Sequence, residues 1–148
     1  MSKILGRTAV AGLLAAVFAV AAHAAPSVDG ANGVVRGEQH GIDYRSGGIS
    51  KEGQQAMHRG EGRYDLHVVL SAGRHHAYVA DARVDVKDAR GHDVLHLRDA
   101  GPLVDAKLPP GDYTVSARYG TAERMQKVHV GADKPAAAYL HFGEHAVS

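Results

Sequence analysis

Apolar and polar residues alternate with a period of two along most of the second half of the chain. Tyr64, Leu66, Val68 and Leu70 alternate with Asp65, His67, Val69 and Ser71, the signature of a strand with one buried face. Ala80, Ala82, Val84 and Val86 alternate with Asp81, Arg83, Asp85 and Lys87, predicting a strand over 78–87. Short apolar runs follow over 94–97 and 103–108, separated by Gly101-Pro102. The most regular alternation sets Tyr113, Val115, Ala117 and Tyr119 against Thr114, Ser116 and Arg118, and 123–130 and 136–142 supply two more strands. Turn residues punctuate the series: a loop over 71–76 with Gly73, then Asp88-Ala89-Arg90-Gly91, Pro109-Pro110-Gly111-Asp112 and Gly120-Thr121-Ala122. These connections are too short for helical crossovers. The expected fold is all-β: a single seven-stranded antiparallel β-sandwich over 63–148.

Ahead of Tyr64 the pattern changes. Ser50 is placed to cap a short helix within 49–62, which Gly53, Gly60 and Gly62 each weaken by about 1 kcal/mol relative to Ala. Residues 25–48 are rich in Gly, Ser, Asp and Asn and show neither period, so they read as a flexible leader. Residues 1–24 read as a secretory signal peptide. Lys3 and Arg7 form a basic tip, an apolar stretch runs from Ala9 to Ala22, and Ala22-His23-Ala24 is a small-x-small cleavage pattern. The stretch falls short of the roughly 20 residues that span a bilayer. The expected location is therefore the periplasm, or alternatively the medium, with no membrane attachment after cleavage.

Cleavage changes the charge balance. It removes Lys3 and Arg7 from the 17 basic residues and none of the 16 acidic ones, leaving a net charge of about −1 with His neutral. Such a domain has no basic footprint for nucleic acid. There is no Cys, so stability has to come from a packed core rather than disulfides, which suits a bacterial periplasm.

Two segments carry a resemblance. Val84-Asp85-Val86-Lys87-Asp88-Ala89-Arg90-Gly91 is followed by Leu108-Pro109-Pro110-Gly111-Asp112-Tyr113-Thr114-Val115. Together they resemble the V-x-V-x-D-x-x-G and L-P-x-G-x-Y-x-V segments of the carboxypeptidase regulatory-like family, a β-sandwich of transthyretin (prealbumin) type. The match covers residues 80–119. The Gly-Gly-Ile segment at Gly47-Gly48-Ile49, the short helix and the sandwich also look like small exported bacterial proteins of that kind, for which no activity is implied. The physical content is in the turns. Gly91 and Gly111 supply permissive backbone, and Pro109 stiffens the second turn. Tyr113 follows it at the first inward position, where its ring joins the core and its hydroxyl finds a backbone acceptor near 109–111.

Candidate chemistry is sparse. His58-Arg59-Gly60-Glu61 has the His-x-x-Glu spacing of zinc carboxypeptidases, but it stands at a Gly-broken helix end and reads as chance. The Tyr-Arg-Gly-Ser terminus of hydroxyisourate hydrolases, which are also transthyretin-like, is missing. Asp81, Asp85, Asp88 and Asp93 lack the fixed register of a calcium loop. No nucleophile elbow or phosphate loop is present. His67, His96, His129 and His141 occupy positions of outward parity, and two or three of them on neighbouring strands would suit Zn²⁺ or Cu²⁺. His75-His76 is a separate loop candidate.

The expected function is thus a non-catalytic accessory or binding module without a cofactor, whose partners are other periplasmic or envelope proteins. The loop over 72–77 and the leader are its expected contact surfaces. A transition-metal protein using surface histidines is the alternative, and an undetected hydrolase a more distant one.

Overall fold

The computed structural model describes residues 25–144, so the segment expected to be a signal peptide lies outside the described residues. Within them are eleven strands and one α-helix. In chain order these are β1 (Ser27–Asp29), β2 (Val34–Gln39), β3 (Ile42–Gly47), α1 (Lys51–His58), β4 (Leu66–Ala72), β5 (Ala77–Tyr78), β6 (Ala82–Asp88), β7 (Asp93–Ala100), β8 (Leu103–Ala106), β9 (Gly111–Tyr119), β10 (Ala122–Val130) and β11 (Ala136–Phe142). A single 3-10 turn at Glu61–Arg63 follows α1. The larger sheet has the order β1-β2-β3-β8-β4-β11, with β5 also paired to β4; the smaller is β10-β9-β6-β7. One core lies between them. Leu66, Val68, Leu70, Val104, Leu140 and Phe142 come from the larger sheet, and Val84, Val86, Leu95, Val115 and Ala117 from the smaller.

Three expectations need correction. The supposed leader is largely structured, as β1, β2 and β3 of the larger sheet. β2 and β3 form a hairpin across His40-Gly41, both with positive φ (51° and 78°), as a tight two-residue turn requires. The alternation of β3 is hidden because the strand is buried on both faces, with Tyr44 and Ser46 toward the core and Arg45 beneath α1. Opposite Tyr44 stands Gly37, where a Cβ would come within 2.6 Å of the tyrosine hydroxyl. Second, the strand expected over 78–87 is broken. Asp81 takes φ 58°, and the chain crosses there from β5 in one sheet to β6 in the other. Third, pairing is not wholly antiparallel, since β11 runs parallel to β4. The chain returns to the larger sheet only after building the smaller one, so no hairpin dictates its direction.

Helix α1 packs on the outer face of the larger sheet, with Ala56 and Met57 against Val34 and Leu103. Ser50 caps it, its Oγ accepting from the Gly53 N–H at 3.0 Å. Gly53 is required by proximity: a Cβ there would lie 2.8 Å from the Asn32 carbonyl oxygen. Glutamine side chains seal both sides of the sandwich. The Gln39 amide donates to the His96 carbonyl (2.8 Å) and accepts from the His96 N–H (2.7 Å) on β7. The Gln126 side chain accepts from the Tyr139 N–H on β11 (3.0 Å). One residue's outward backbone groups on each of the edge strands β7 and β11 are thereby occupied.

At the 109–111 turn, Tyr113 is buried and its hydroxyl donates to the Pro109 carbonyl at 2.7 Å. Burial raises its pKa above the usual tyrosine value, and the Asp88 and Asp65 charges add to the shift. Gly91 has φ 83°, and the Asp88 carboxylate ties its turn by accepting from the Arg90 and His92 N–H groups.

Candidate ligand-binding cleft

Strand register builds one row of side chains across the outer face of the larger sheet. Arg45 on β3 lies opposite Asp105 on β8, Asp105 opposite His67 on β4, and His67 beside Ala137 on β11. Cross-strand neighbours stand about 5 Å apart, so three polar residues distant in sequence become a connected unit. Arg45 Nε donates to Asp105 Oδ2 at 2.7 Å, and Asp105 Oδ1 meets His67 Nδ1 at 2.7 Å. Arg45 and Asp105 are only 3% and 5% exposed. The rest of the guanidinium caps the C-terminus of α1. Nη1 donates to the carbonyls of Ala56 (3.3 Å) and Arg59 (2.9 Å), and Nη2 donates to that of Met57. The Tyr64 ring stacks on its other side, 4.6 Å away. A cation there satisfies the unpaired carbonyls of the last turn and complements the helix dipole.

His67 is raised above its usual pKa, chiefly by the hydrogen bond to Asp105 and further by that carboxylate's charge, while burial opposes the shift. With Nδ1 engaged, Nε2 remains for another partner. Beside it opens a cleft of about 500 Å³. Val69, Leu103 and Ala137 contribute to its floor, Met57 and the His58–Glu61 pair to one wall, and Tyr78 and Tyr139 to its lining farther along. His58 Nδ1 and Glu61 Oε2 stand 3.5 Å apart, so the spacing read as chance in sequence sits at the rim. Tyr139 is 69% exposed and Tyr78 44%.

The four histidines expected to offer metal ligands do not converge. His141 shares the outer face with His67, but register places it four residues farther along, roughly 13 Å at the usual strand rise. Its Nδ1 meets Ser71 Oγ at 3.0 Å, and its ring lies 4.2 Å from that of His76. His96 and His129 belong to the other sheet, on the outermost strands β7 and β10. Each pairs with the carboxylate directly across from it, His96 with Asp85 and His129 with Asp112 (2.7 Å). Outward parity was expected to leave all four exposed, yet His67 and His141 are half-buried. Among the described residues no group of three or more His, Asp or Glu side chains is placed to hold a metal ion. Asp85, Asp88 and Asp93 are engaged separately, the last with Lys87 at 3.1 Å.

A larger hollow of about 610 Å³ lies beside the Asp88–Gly91 turn. Of its charged groups, Lys87 pairs with Asp93, His129 with Asp112, and Asp88 holds its own turn, while Lys127 also stands at its lining. The cleft beside His67 is the stronger candidate, because its polar end, His67 and Asp105, is fixed by a buried network and two exposed tyrosines line it. No family model and no curated protein matches the chain.

Proposed function

We propose that this chain is a non-catalytic, exported binding module that takes its ligand in the cleft beside His67. One observation carries the reading. The cleft joins a rigid polar row to two solvent-exposed tyrosine rings, the usual make-up of a ligand site: mostly apolar walls and few, well-fixed polar groups. Both Asp105 oxygens are spent on Arg45 and His67, which supports a structural rather than reactive use of that carboxylate.

The carboxypeptidase regulatory-like reading draws support from the same arrangement. β3, β8, β4 and β11 oppose β7, β6, β9 and β10 across the core with the two motif turns in place, and β1 and β2 extend the larger sheet. A fold of this kind does not fix the ligand, so the site has to be tested directly.

The test is a thermal-shift screen of the mature domain against small polar metabolites, run in parallel on Ala137→Arg, which fills the cleft from an exposed floor position. A ligand at 100 times its Kd adds about 2.7 kcal/mol of stability. The reading expects compounds that stabilise the parent and leave Ala137→Arg unmoved. Equal shifts in both proteins overturn it.

A further inference from the structure

We infer that the ligand of this cleft is a neutral, pyranose-based glycan. The inference rests on the binding-module reading and narrows it to a chemical class.

Three observations lead there. The first is the aromatic surface. Tyr78 and Tyr139 are two of only five exposed large hydrophobic residues among those described, and both line this one cleft. Among the described residues neither ring has an aromatic or cationic partner, whereas Tyr64, Tyr119 and Phe142 all do. A tyrosine ring presents a flat apolar face with a polar tip, and the C–H face of a pyranose packs on such a surface while its hydroxyls point outward. The second is the polar end. Glu61 offers carboxylate oxygens, and His67 offers Nε2, oriented by the bond from Nδ1 to Asp105. Vicinal hydroxyls both donate and accept, so they satisfy a carboxylate and an imidazole whether or not the latter is protonated. The third is charge. Among the described residues no Lys or Arg lines the cleft, and Asp105 is already matched by Arg45. Glu61 then stands against His58 and His67, leaving no field strong enough to select an anion or a cation. An anion would need fixed cationic donors; a cation would meet a histidine that its own partner favours in the charged form. A volume of about 500 Å³ lies within the usual range for ligand pockets.

The experiment uses maltotriose, cellotriose, mannotriose and tri-N-acetylglucosamine as probes, with benzoate and a quaternary ammonium compound for the competing chemistries. Saturation-transfer NMR on the mature domain reads out contact, and titration calorimetry reads out affinity. At least one trisaccharide should receive saturation at its ring C–H protons. Tyr139→Ala should weaken that binding about 10-fold and Tyr139→Phe by little, since the ring face does the packing. Both substitutions are on an exposed side chain and leave the core intact. Met125→Ala, exposed on the other sheet, should change nothing. Saturation of benzoate or the ammonium compound alone, abolished by Ala137→Arg, overturns the glycan class and leaves the cleft a ligand site. Glycan binding insensitive to Tyr139→Ala overturns the inference as well. No response from any probe, together with a blank metabolite screen, overturns both this inference and the binding-module reading.

Discussion

Replacing Asp105 by Ala should be among the most damaging single changes on the larger sheet. Asp105 is 5% exposed, and its carboxylate bonds two groups at 2.7 Å, the Arg45 guanidinium and the His67 imidazole. Removal leaves Arg45, 3% exposed, as a buried cation without a counter-charge, held only by the carbonyls at the end of α1 and the Tyr64 ring. Breaking a buried ion pair on one side costs about 3–5 kcal/mol. A domain of ordinary stability has about 5–15 kcal/mol in total, so the variant should be marginal. Asp105→Asn keeps the volume and one acceptor, and should cost about 2–3 kcal/mol through the lost charge-assisted bond. In a cycle with Arg45→Met, the double variant should be less destabilised than the summed singles by about 2 kcal/mol, since no stranded cation remains. Urea unfolding followed by far-ultraviolet circular dichroism at pH 7 measures all of these. If Asp105→Ala unfolds within about 0.5 kcal/mol of the parent, the range of ordinary surface substitutions, then the row does not hold the helix to the sheet and the reasoning fails.

His67 makes stability depend on pH with a definite sign. Its folded pKa lies above the unfolded value of 6.5, so its contribution is fully present below about pH 6.5 and is lost as pH rises through the folded value. The stability of the parent relative to His67→Gln should therefore be larger at pH 5.5 than at pH 8.5; an unchanged difference contradicts the pairing with Asp105. Tyr113→Phe should cost about 1 kcal/mol for the bond to Pro109, and Tyr113→Ala about 3–5 kcal/mol for the emptied core position. Denaturant midpoints check both, and a neutral Tyr113→Ala would mean that the ring does not support the core. Gly53→Ala tests packing against propensity. Helix propensity alone favours Ala by about 1 kcal/mol, yet the new Cβ would press to 2.8 Å on the Asn32 carbonyl oxygen. A lowered melting temperature is expected, and a raised one would show that the approach of α1 to the sheet relaxes freely.

The legible parts of the chain are those where one face is wet. β4, β6 and β9 alternate cleanly because their outward residues meet solvent or polar neighbours. Tyr113 could be placed because a rigid turn and a regular strand fix its parity. The segment before α1 was misread for the opposite reason. β3 is covered on both sides, so Arg45 and Ser46 look like leader residues although their polar groups are satisfied within the fold. The central row was invisible because Arg45, Asp105 and His67 are joined only by register, which a linear reading does not supply. The same holds for Asp85 with His96 and Asp112 with His129. Tyr139 was within reach: it is the large aromatic among the outward residues of β11, between Ala137 and His141.

The most direct measurement is the backbone-amide NMR spectrum of ¹⁵N-labelled protein comprising residues 25–148, titrated with the probe that gives the largest response. The account predicts shifts confined to the outer face of the larger sheet, at His67, Val69, Leu103, Ala137 and Tyr139, with Lys87, Thr114 and Ser116 on the other sheet unmoved. Shifts centred on the smaller sheet or on the Asp88–Gly91 turn would contradict it.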